Sequence, residues 1–255
     1  MSARKGHMKS FLLMLAFFTR IPVRVSGEID AAQYQKGIKY LPVIGILIGV
    51  PMGCVVLLAP WIGSLTAAFL AVAVYLLLSG ALHVDGLADT ADGFAAHRDR
   101  EGTLAIMKDS RIGTFGVLAV CVYVLGMTVF IAQAGVMAAA LCPLAGRSAA
   151  LLCARMNSSA TDGLGRWFVD GVKSFHVIGT VIIFTAASAL GLLVYQWVFP
   201  VLLIASFLAA MAAAAMATRC MAKKLGGITG DVIGFSVEFS QLVFLLFSSI
   251  AVIIL

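Results

Sequence analysis

Long apolar stretches alternate with polar segments along the whole chain. A helix crosses the bilayer's hydrocarbon core, about 30 Å thick, with roughly 20 apolar residues, and most of the stretches approach that length. The pattern therefore predicts an all-α fold: one membrane-embedded catalytic domain over residues 1–255, built as a polytopic helical bundle. The predicted spans cover about residues 41–59, 66–82, 113–134, 136–154, 176–196, 199–218 and 239–255.

The first apolar run, Phe11–Phe18, is preceded by three basic residues, as in a signal peptide. No small-residue cleavage site follows, and Arg20 and Arg24 interrupt the sequence instead. Because the run is too short to span comfortably, we predict a retained interfacial or re-entrant helix. The sequence leaves open whether residues 10–22 span the membrane or lie in the interface.

The connectors between spans are long on one side and short on the other. Apart from Arg147, which falls within the predicted span 136–154, all of the 18 Lys and Arg residues and all 12 acids lie in or directly beside the long connectors. By the positive-inside rule that side faces the cytoplasm, which predicts a multi-pass protein of the cytoplasmic (inner) membrane with its active site on the cytoplasmic face. The long connectors are residues 1–40, 83–112, 155–175 and 219–238, and the short links lie near Pro60–Leu65, Gly135 and Gln196–Phe199.

Composition supports this interpretation and excludes others. With 62% hydrophobic and 12% charged residues, the chain carries too much apolar surface for a water-soluble fold. The net charge of +6 is better explained by membrane topology than by binding to nucleic acid, so no nucleic-acid partner is expected. Five cysteines without a C-x-x-C pair are typical of small buried side chains rather than of disulfides or a metal site.

Arg147, in LCPLAGRSAALL, is the one charge expected inside the bilayer. Its side chain either extends to the cytoplasmic surface or binds the anion of a buried phosphate, and the sequence leaves both open. Transporters usually carry several ionisable groups near the midplane. The concentration of polar residues on one face therefore favours an enzyme that takes its substrates from the cytoplasm.

The segment LHVDGLADTADG continues the apolar run Leu76–Leu82 directly into acids, so we predict that the helix persists past the membrane surface. At about 100° per residue, Asp85, Asp89 and Asp92 fall within about 60° of one another. Such carboxylates repel unless a cation lies among them, and their hard oxygens suit Mg²⁺. The alternative, a solvated acidic face, is disfavoured because residues 84–96 contain no basic residue.

Further polar groups are predicted to face the same side. Lys108, Ser110 and Arg111 form a candidate phosphate clamp, and Asp109 adds a further candidate metal ligand. Near the last span, KKLGGITGD offers a glycine-rich turn whose backbone N–H groups suit an anion. The candidate residues of this turn are Gly227, Thr229, Gly230 and Asp231. A second polar loop, NSSATDGLGRWF, adds Asn157, Ser158, Asp162 and Arg166. His83, just before the aspartates, is a candidate hydrogen-bond donor or proton carrier.

A metal cluster opposite basic, glycine-rich loops predicts phosphoryl or nucleotidyl transfer, in which Mg²⁺ neutralises phosphate charge and a carboxylate accepts the proton of an attacking hydroxyl. Spacing and composition do not name the substrate. Beyond that, the chain resembles the membrane-bound cobalamin (cobamide 5'-phosphate) synthases, also called adenosylcobinamide-GDP ribazoletransferases. The resemblance rests on FFTRIPV at 17–23, YLPVIGILIG at 40–49, ALHVDGLADTADG at 81–93, IMKDSRIGTFG at 106–116 and GGITGDVIGFSVE at 226–238.

The resemblance implies a Mg²⁺-dependent reaction late in vitamin B12 synthesis. The 3'-hydroxyl of α-ribazole 5'-phosphate, or of α-ribazole, would attack adenosylcobinamide-GDP at the phosphorus nearest the corrinoid and release GMP. The oligomeric state, including a homo-oligomer, is left open. The resemblance puts forward Asp85, Asp89 and Asp92 as metal ligands, with Asp109 next, Lys108 and Arg111 as phosphate contacts, and Asp231 as ligand or base. The remaining predicted contacts to substrate or phosphate come from the residues themselves, and these are His83, Ser110, Arg147, Gly227, Thr229 and Gly230.

Three alternative functions are compatible with the sequence. A CDP-alcohol-type phosphotransferase is similar at Asp89, Asp92, Gly93 and Ala96, but His97 occupies its arginine position and the second half of its motif is absent. A corrinoid or divalent-cation transporter would require a polar path through the bilayer. A structural membrane anchor would not require the aspartates.

Overall fold

The computed structural model describes residues 2–27, 29–193 and 198–254, and the side chains of 6–27, 29–192 and 198–253. Regular secondary structure in these ranges is helical, as predicted. The helices are α1 Ser2–Phe18, α2 Ala31–Gly37, α3 Leu41–Val56, α4 Ala59–Ile62, α5 Ser64–Ser79, α6 Leu82–Ala95, α7 Arg100–Met107, α8 Thr114–Met156, α9 Leu164–Gly171, α10 Ser174–Ala189, α11 Val198–Leu225 and α12 Gly230–Ile254.

Five of the described helices are long and apolar enough to cross a membrane, or six if α5 and α6 form one bent span, rather than the seven predicted. The difference involves α8, which has 43 residues and counts as one helix. Its backbone leaves helical geometry at Gly135 (φ 78°, ψ −164°), where the sequence predicts a short link. The apolar part of α1, Gly6–Phe18, is shorter than a span, and its interfacial position stays a prediction.

The predicted uninterrupted helix from the apolar run into the aspartates is wrong. Gly80 and Ala81 both adopt left-handed backbone conformations, with φ of 65° and 56°. The chain therefore turns by 95° between α5 and α6. Because of this bend, the aspartates do not extend along the axis of the span that precedes them.

The predicted connector 219–238 is also wrong. Helix α11 continues to Leu225 and α12 begins at Gly230, so only four residues join them. In the predicted link Gln196–Phe199, residues 196 and 197 lie outside the described part of the chain, and so do the ends of two predicted spans, 194–196 and 255. The early start of α12 places the acids at positions 231 and 238 inside a helix instead of a loop.

Glycines allow the helices around the aspartates to approach one another closely. A Cβ added to Gly86 of α6 would lie 2.8 Å from the carbonyl oxygen of Asp231, and one added to Gly234 of α12 would lie 3.1 Å from the carbonyl oxygen of His83. On the other side of the bundle, a Cβ on Gly49 of α3 would overlap the backbone of Ala140 in α8. Close packing of α6 on α12 therefore brings the two acidic segments together.

Candidate functional site

Two helices contribute acids to one site. Asp85 is exposed and Asp89 partly buried on α6, and Asp231 stands at the first turn of α12. Asp85, Asp92 and Asp231 all lie close enough to Asp89 to repel its charge. Asp85 and Asp231 line the same cavity. The packing of α6 on α12 thus brings together the predicted aspartate cluster and the predicted glycine-rich segment.

Asp92 is held differently from its neighbours on α6. Its carboxylate accepts hydrogen bonds from the backbone N–H groups of Gly113 and Gly116, at 2.7 and 2.8 Å. Gly113 is the N-cap residue of α8 and offers no side chain. Asp92 therefore supplies the missing cap from another helix, where the helix dipole favours a negative charge.

The chemistry of the acids suits a hard cation, but the described part of the chain contains no ready-made group of three His, Cys, Asp or Glu side chains positioned for a metal. Asp85 and Asp89 form no ion pair among the described residues. Their oxygens are therefore available to a hard cation that takes its remaining ligands from outside the protein. Backbone N–H groups already bond the oxygens of Asp92, so these oxygens are less available to a cation.

The segment Lys108–Arg111 lies in the turn between α7 and α8, next to the capped end of α8. Asp109 pairs with Arg111 through two bonds, Nη2 to Oδ2 at 2.8 Å and Nε to Oδ1 at 3.1 Å. The Arg111 guanidinium lowers the pKa of Asp109 to about 2. Lys108 and Ser110 are exposed, and neither lines the cavity. Asp109 is thus engaged by a cation of its own segment.

The turn between α11 and α12 is fixed by its neighbours. Ile228 donates to the carbonyl of Ser158 at 2.8 Å, and its own carbonyl accepts from Ala160 at 2.9 Å. Gly227 has φ 146°, and a Cβ there would lie 2.7 Å from the Ala160 backbone. A residue with a side chain at position 227 would therefore prevent the pairing of Ile228 with Ser158 and Ala160. Thr229 accepts a hydrogen bond from the N–H of Val232 and so caps α12.

Gly230 has no atom within 4 Å of where a Cβ would stand, and it lines the cavity beside Asp231. Of the predicted group at 157–166, Asn157 donates to the Cys153 carbonyl at 2.8 Å, Ser158 is exposed, and Arg166 pairs with Asp162 at the surface. None of these four lines the cavity. They therefore organise the loop locally rather than entering the site.

The cavity itself has a volume of about 180 Å³ and is lined by residues of α1, α2, α3, α6, α8, α9 and α12. Two of the predicted contacts, His83 and Arg147, line it. Arg147 is 1% exposed, and its Nε and Nη2 have no hydrogen-bond partner. Because Arg147 is buried, its side chain does not extend to the surface. A buried guanidinium without an acceptor is costly, so of the two interpretations from the sequence the geometry supports the binding of an anion.

Sequence patterning missed Glu238. It is 1% exposed inside α12, so the expectation that Arg147 is the one charge inside the bilayer is wrong. Tyr75 of α5 donates to Glu238 Oε1 at 2.6 Å and accepts from Gln241 at 2.9 Å. The Arg147 guanidinium carbon lies 5.8 Å from the centre of the Tyr75 ring. The sequence offers one signal for a buried acid here, because Glu238 stands between the apolar residues Val237 and Phe239.

The family model described as cobalamin-5-phosphate synthase matches residues 10–249. An adenosylcobinamide-GDP ribazoletransferase of Alkaliphilus oremlandii is 40% identical over 94% of this chain and 96% of its own. Proteins of the same name from Shigella flexneri and Escherichia coli K12 are each 36% identical over 93% of this chain and 98% of theirs. No solved structure matches the chain.

Proposed function

The chain belongs to the cobalamin-5-phosphate synthase family, and on that premise we propose that it is an adenosylcobinamide-GDP ribazoletransferase acting late in cobalamin synthesis. Its substrates are adenosylcobinamide-GDP and α-ribazole 5'-phosphate, or α-ribazole. The ribazole 3'-oxygen bonds to the phosphorus nearest the corrinoid, the bond from that phosphorus to GMP breaks, and GMP leaves with the electron pair. The observation that carries the proposal is the similarity to ribazoletransferases over nearly the full length of both chains.

We propose Mg²⁺ as the cofactor, with Asp85, Asp89, Asp92 and Asp109 as the candidate ligands. A bound Mg²⁺ would neutralise the diphosphate and polarise the phosphorus. Asp85 and Asp89 are the strongest members of the set, because they have no cationic partner among the described residues and repel each other. Asp92 and Asp109 are weaker members, because backbone N–H groups and Arg111 already occupy their oxygens.

Asp231 is the proposed base for the ribazole hydroxyl. Asp231 of α12 lines the same cavity as Asp85 of α6. A ribazole hydroxyl bound between them would lie near both the proposed metal ligand Asp85 and the proton acceptor Asp231. The proposed contacts to substrate or phosphate are His83, Lys108, Ser110, Arg111, Arg147, Gly227, Thr229 and Gly230. Of these, His83, Arg147 and Gly230 line the cavity, and the others lie in the surrounding turns.

The proposed location is the inner membrane, with the site open to the cytoplasm. The support is the concentration of charges in the long connectors. Both substrates carry large polar groups, which agrees with a site that is reached from the aqueous phase.

The direct test uses the purified full chain in lipid with adenosylcobinamide-GDP, α-ribazole 5'-phosphate and Mg²⁺. The expected result is equimolar release of GMP and of the joined cobalamin phosphate, abolished by EDTA and restored by Mg²⁺. Absence of GMP under every metal condition would exclude the reaction. Activity that persists through EDTA treatment would exclude only the metal.

A further inference from the structure

The cavity that Asp85 and Asp231 line also contains a buried cation. Asp85 is exposed, whereas Arg147 is almost fully buried. The rest of the wall is mainly aromatic and aliphatic, and includes Phe18, Tyr34 and Phe168. A buried cation in a mainly apolar chamber is unusual within a helix bundle. Among the described residues Arg147 forms no ion pair. Glu238 interacts with its charge only from beyond the Tyr75 ring.

Arg147 has hydrogen-bonding capacity to spare. Among the described residues its one direct hydrogen bond is a long contact, 3.4 Å, from Nη1 to the Pro143 carbonyl. Nε and Nη2, which together form one edge of the guanidinium, have no partner. That edge matches two oxygens of a phosphate or carboxylate. The Nδ1 atom of His83, also buried in the cavity wall, likewise has no partner.

We propose that this cavity is the subsite for the acceptor nucleotide, with its aromatic base against the Phe18, Tyr34 and Phe168 wall and its single phosphate paired with Arg147. The proposal rests on the function proposed above and deepens it. It assigns the cavity to the acceptor rather than to the nucleotide–corrinoid donor.

Size and charge favour the acceptor. A cavity of about 180 Å³ is small among ligand sites, which commonly run from about 300 to 1,000 Å³, so a corrinoid ring does not enter it. One buried cation matches one phosphate monoester. A diphosphate requires more positive charge than Arg147 alone supplies.

The polarity of the wall separates the two possible bases. Guanine presents amino, amide and carbonyl groups that would lose their hydrogen bonds to water among phenyl rings, at a cost of several kcal/mol. A benzimidazole carries no exocyclic donor or acceptor, so burial against the aromatic side chains is favourable. The aromatic part of the wall is therefore suited to an apolar bicyclic base, and Asp85 and Asp231, which line the same cavity, are available to the ribose hydroxyls.

The test compares two acceptors that differ only in the phosphate, α-ribazole and α-ribazole 5'-phosphate. Arg147→Gln is expected to raise KM for the phosphate ester about 10- to 100-fold more than KM for α-ribazole, with KM for adenosylcobinamide-GDP little changed. Arg147→Lys should give an intermediate ratio. The matched control is Arg155→Gln, two turns further along α8, where the side chain donates to Ser174 at the surface.

A second variant tests the wall. Phe18→Leu is expected to raise KM for both acceptors by the same factor, because it removes ring contact, including the stacking on His83, and leaves Arg147 in place. Phe175→Leu, an exposed aromatic residue on α10 outside the cavity, serves as its control. A rise in KM for the donor alone, in either Arg147 or Phe18 variants, overturns the assignment.

Binding by the wild-type protein keeps the proposal testable if the variants do not fold. Equilibrium dialysis without donor or Mg²⁺ should show binding of α-ribazole 5'-phosphate that is displaced by benzimidazole and not by GMP. Displacement by GMP, or no binding of the acceptor, contradicts the subsite. Because the wild-type chain is also assayed for GMP release, failure of the subsite remains distinguishable from failure of the proposed reaction.

Discussion

Asp92 on α6 accepts a hydrogen bond from the backbone N–H of Gly113, with 2.7 Å between Oδ2 and N. The first turn of α8 has unsatisfied N–H groups, and the residue at its N-cap has no side chain to bond them. A carboxylate from another helix fills that role. One member of the aspartate cluster is therefore committed to joining two helices before any substrate arrives.

Asp92→Asn should destabilise the protein. The amide keeps one acceptor oxygen but turns an NH₂ group toward a backbone N–H, and the negative charge at the helix start is lost. We expect the free energy of unfolding to fall by about 1–3 kcal/mol, measured by denaturation in detergent. Asp89→Asn is the matched control, and it should abolish most activity while leaving stability unchanged or raised, because it relieves repulsion from neighbouring acids. Equal stability of the two variants would contradict the capping role.

Gly86→Ala should separate the two walls of the site. The new Cβ would lie 2.8 Å from the Asp231 carbonyl oxygen and 3.0 Å from its Cα, both backbone atoms that cannot rotate away. We expect at least a tenfold loss in kcat/KM and a lower melting temperature. Gly179→Ala on α10, where a Cβ meets nothing within 4 Å, should be neutral or slightly stabilising. Wild-type activity of Gly86→Ala would show that α6 and α12 need not approach this closely.

Tyr75→Phe should weaken the bundle interior. It removes the hydroxyl that lies between Glu238 and Gln241 and leaves a buried carboxylate oxygen without its 2.6 Å partner. The expected loss is about 1–3 kcal/mol in the free energy of unfolding. Tyr40→Phe, whose hydroxyl makes no hydrogen bond among the described residues, provides the comparison. A neutral Tyr75→Phe would mean that water or another group satisfies Glu238.

Asp109→Asn should affect catalysis less than Asp89→Asn. Both Asp109 oxygens pair with Arg111, and its pKa of about 2 means that the carboxylate stays ionised from neutral pH down to strongly acidic pH. Because this pKa is lowered, the Asp109–Arg111 ion pair of the wild type is lost only as the pH falls toward 2. The acid limb of the pH–rate profile of Asp109→Asn should therefore match that of the wild type. A large rise in the Mg²⁺ concentration for half-maximal rate would instead identify Asp109 as a ligand.

A cysteine placed at Ser110 should react with a membrane-impermeant maleimide from the cytoplasmic side only. Ser110 is exposed in the turn before α8 and belongs to a long, charged connector. Ser64→Cys, exposed at the short link between α4 and α5, should react from the opposite side. Labelling is compared in right-side-out and inverted vesicles, with the wild-type chain as background for its native cysteines. Reaction of both variants from one side would refute the proposed topology.

Apolar stretch length predicted the helical membrane class and most helix positions, because the hydrocarbon core imposes a minimum length that is read without tertiary contacts. Local motifs likewise singled out Asp85, Asp89 and Asp231. The turn at Gly80 and Ala81 escaped the prediction because an alanine in a left-handed conformation leaves no trace in apolar periodicity.

Tertiary structure alone decided what the individual acids do. Asp89 and Asp92 lie one turn apart on the same helix, yet one faces other carboxylates and the other caps α8. Glu238 was assigned to a connector because it is charged, but Tyr75 from α5 and Gln241 from α12 itself provide its hydrogen bonds inside the bundle. The role of a carboxylate depends on the charges and donors that packing brings within a few ångströms, and sequence spacing does not determine those distances.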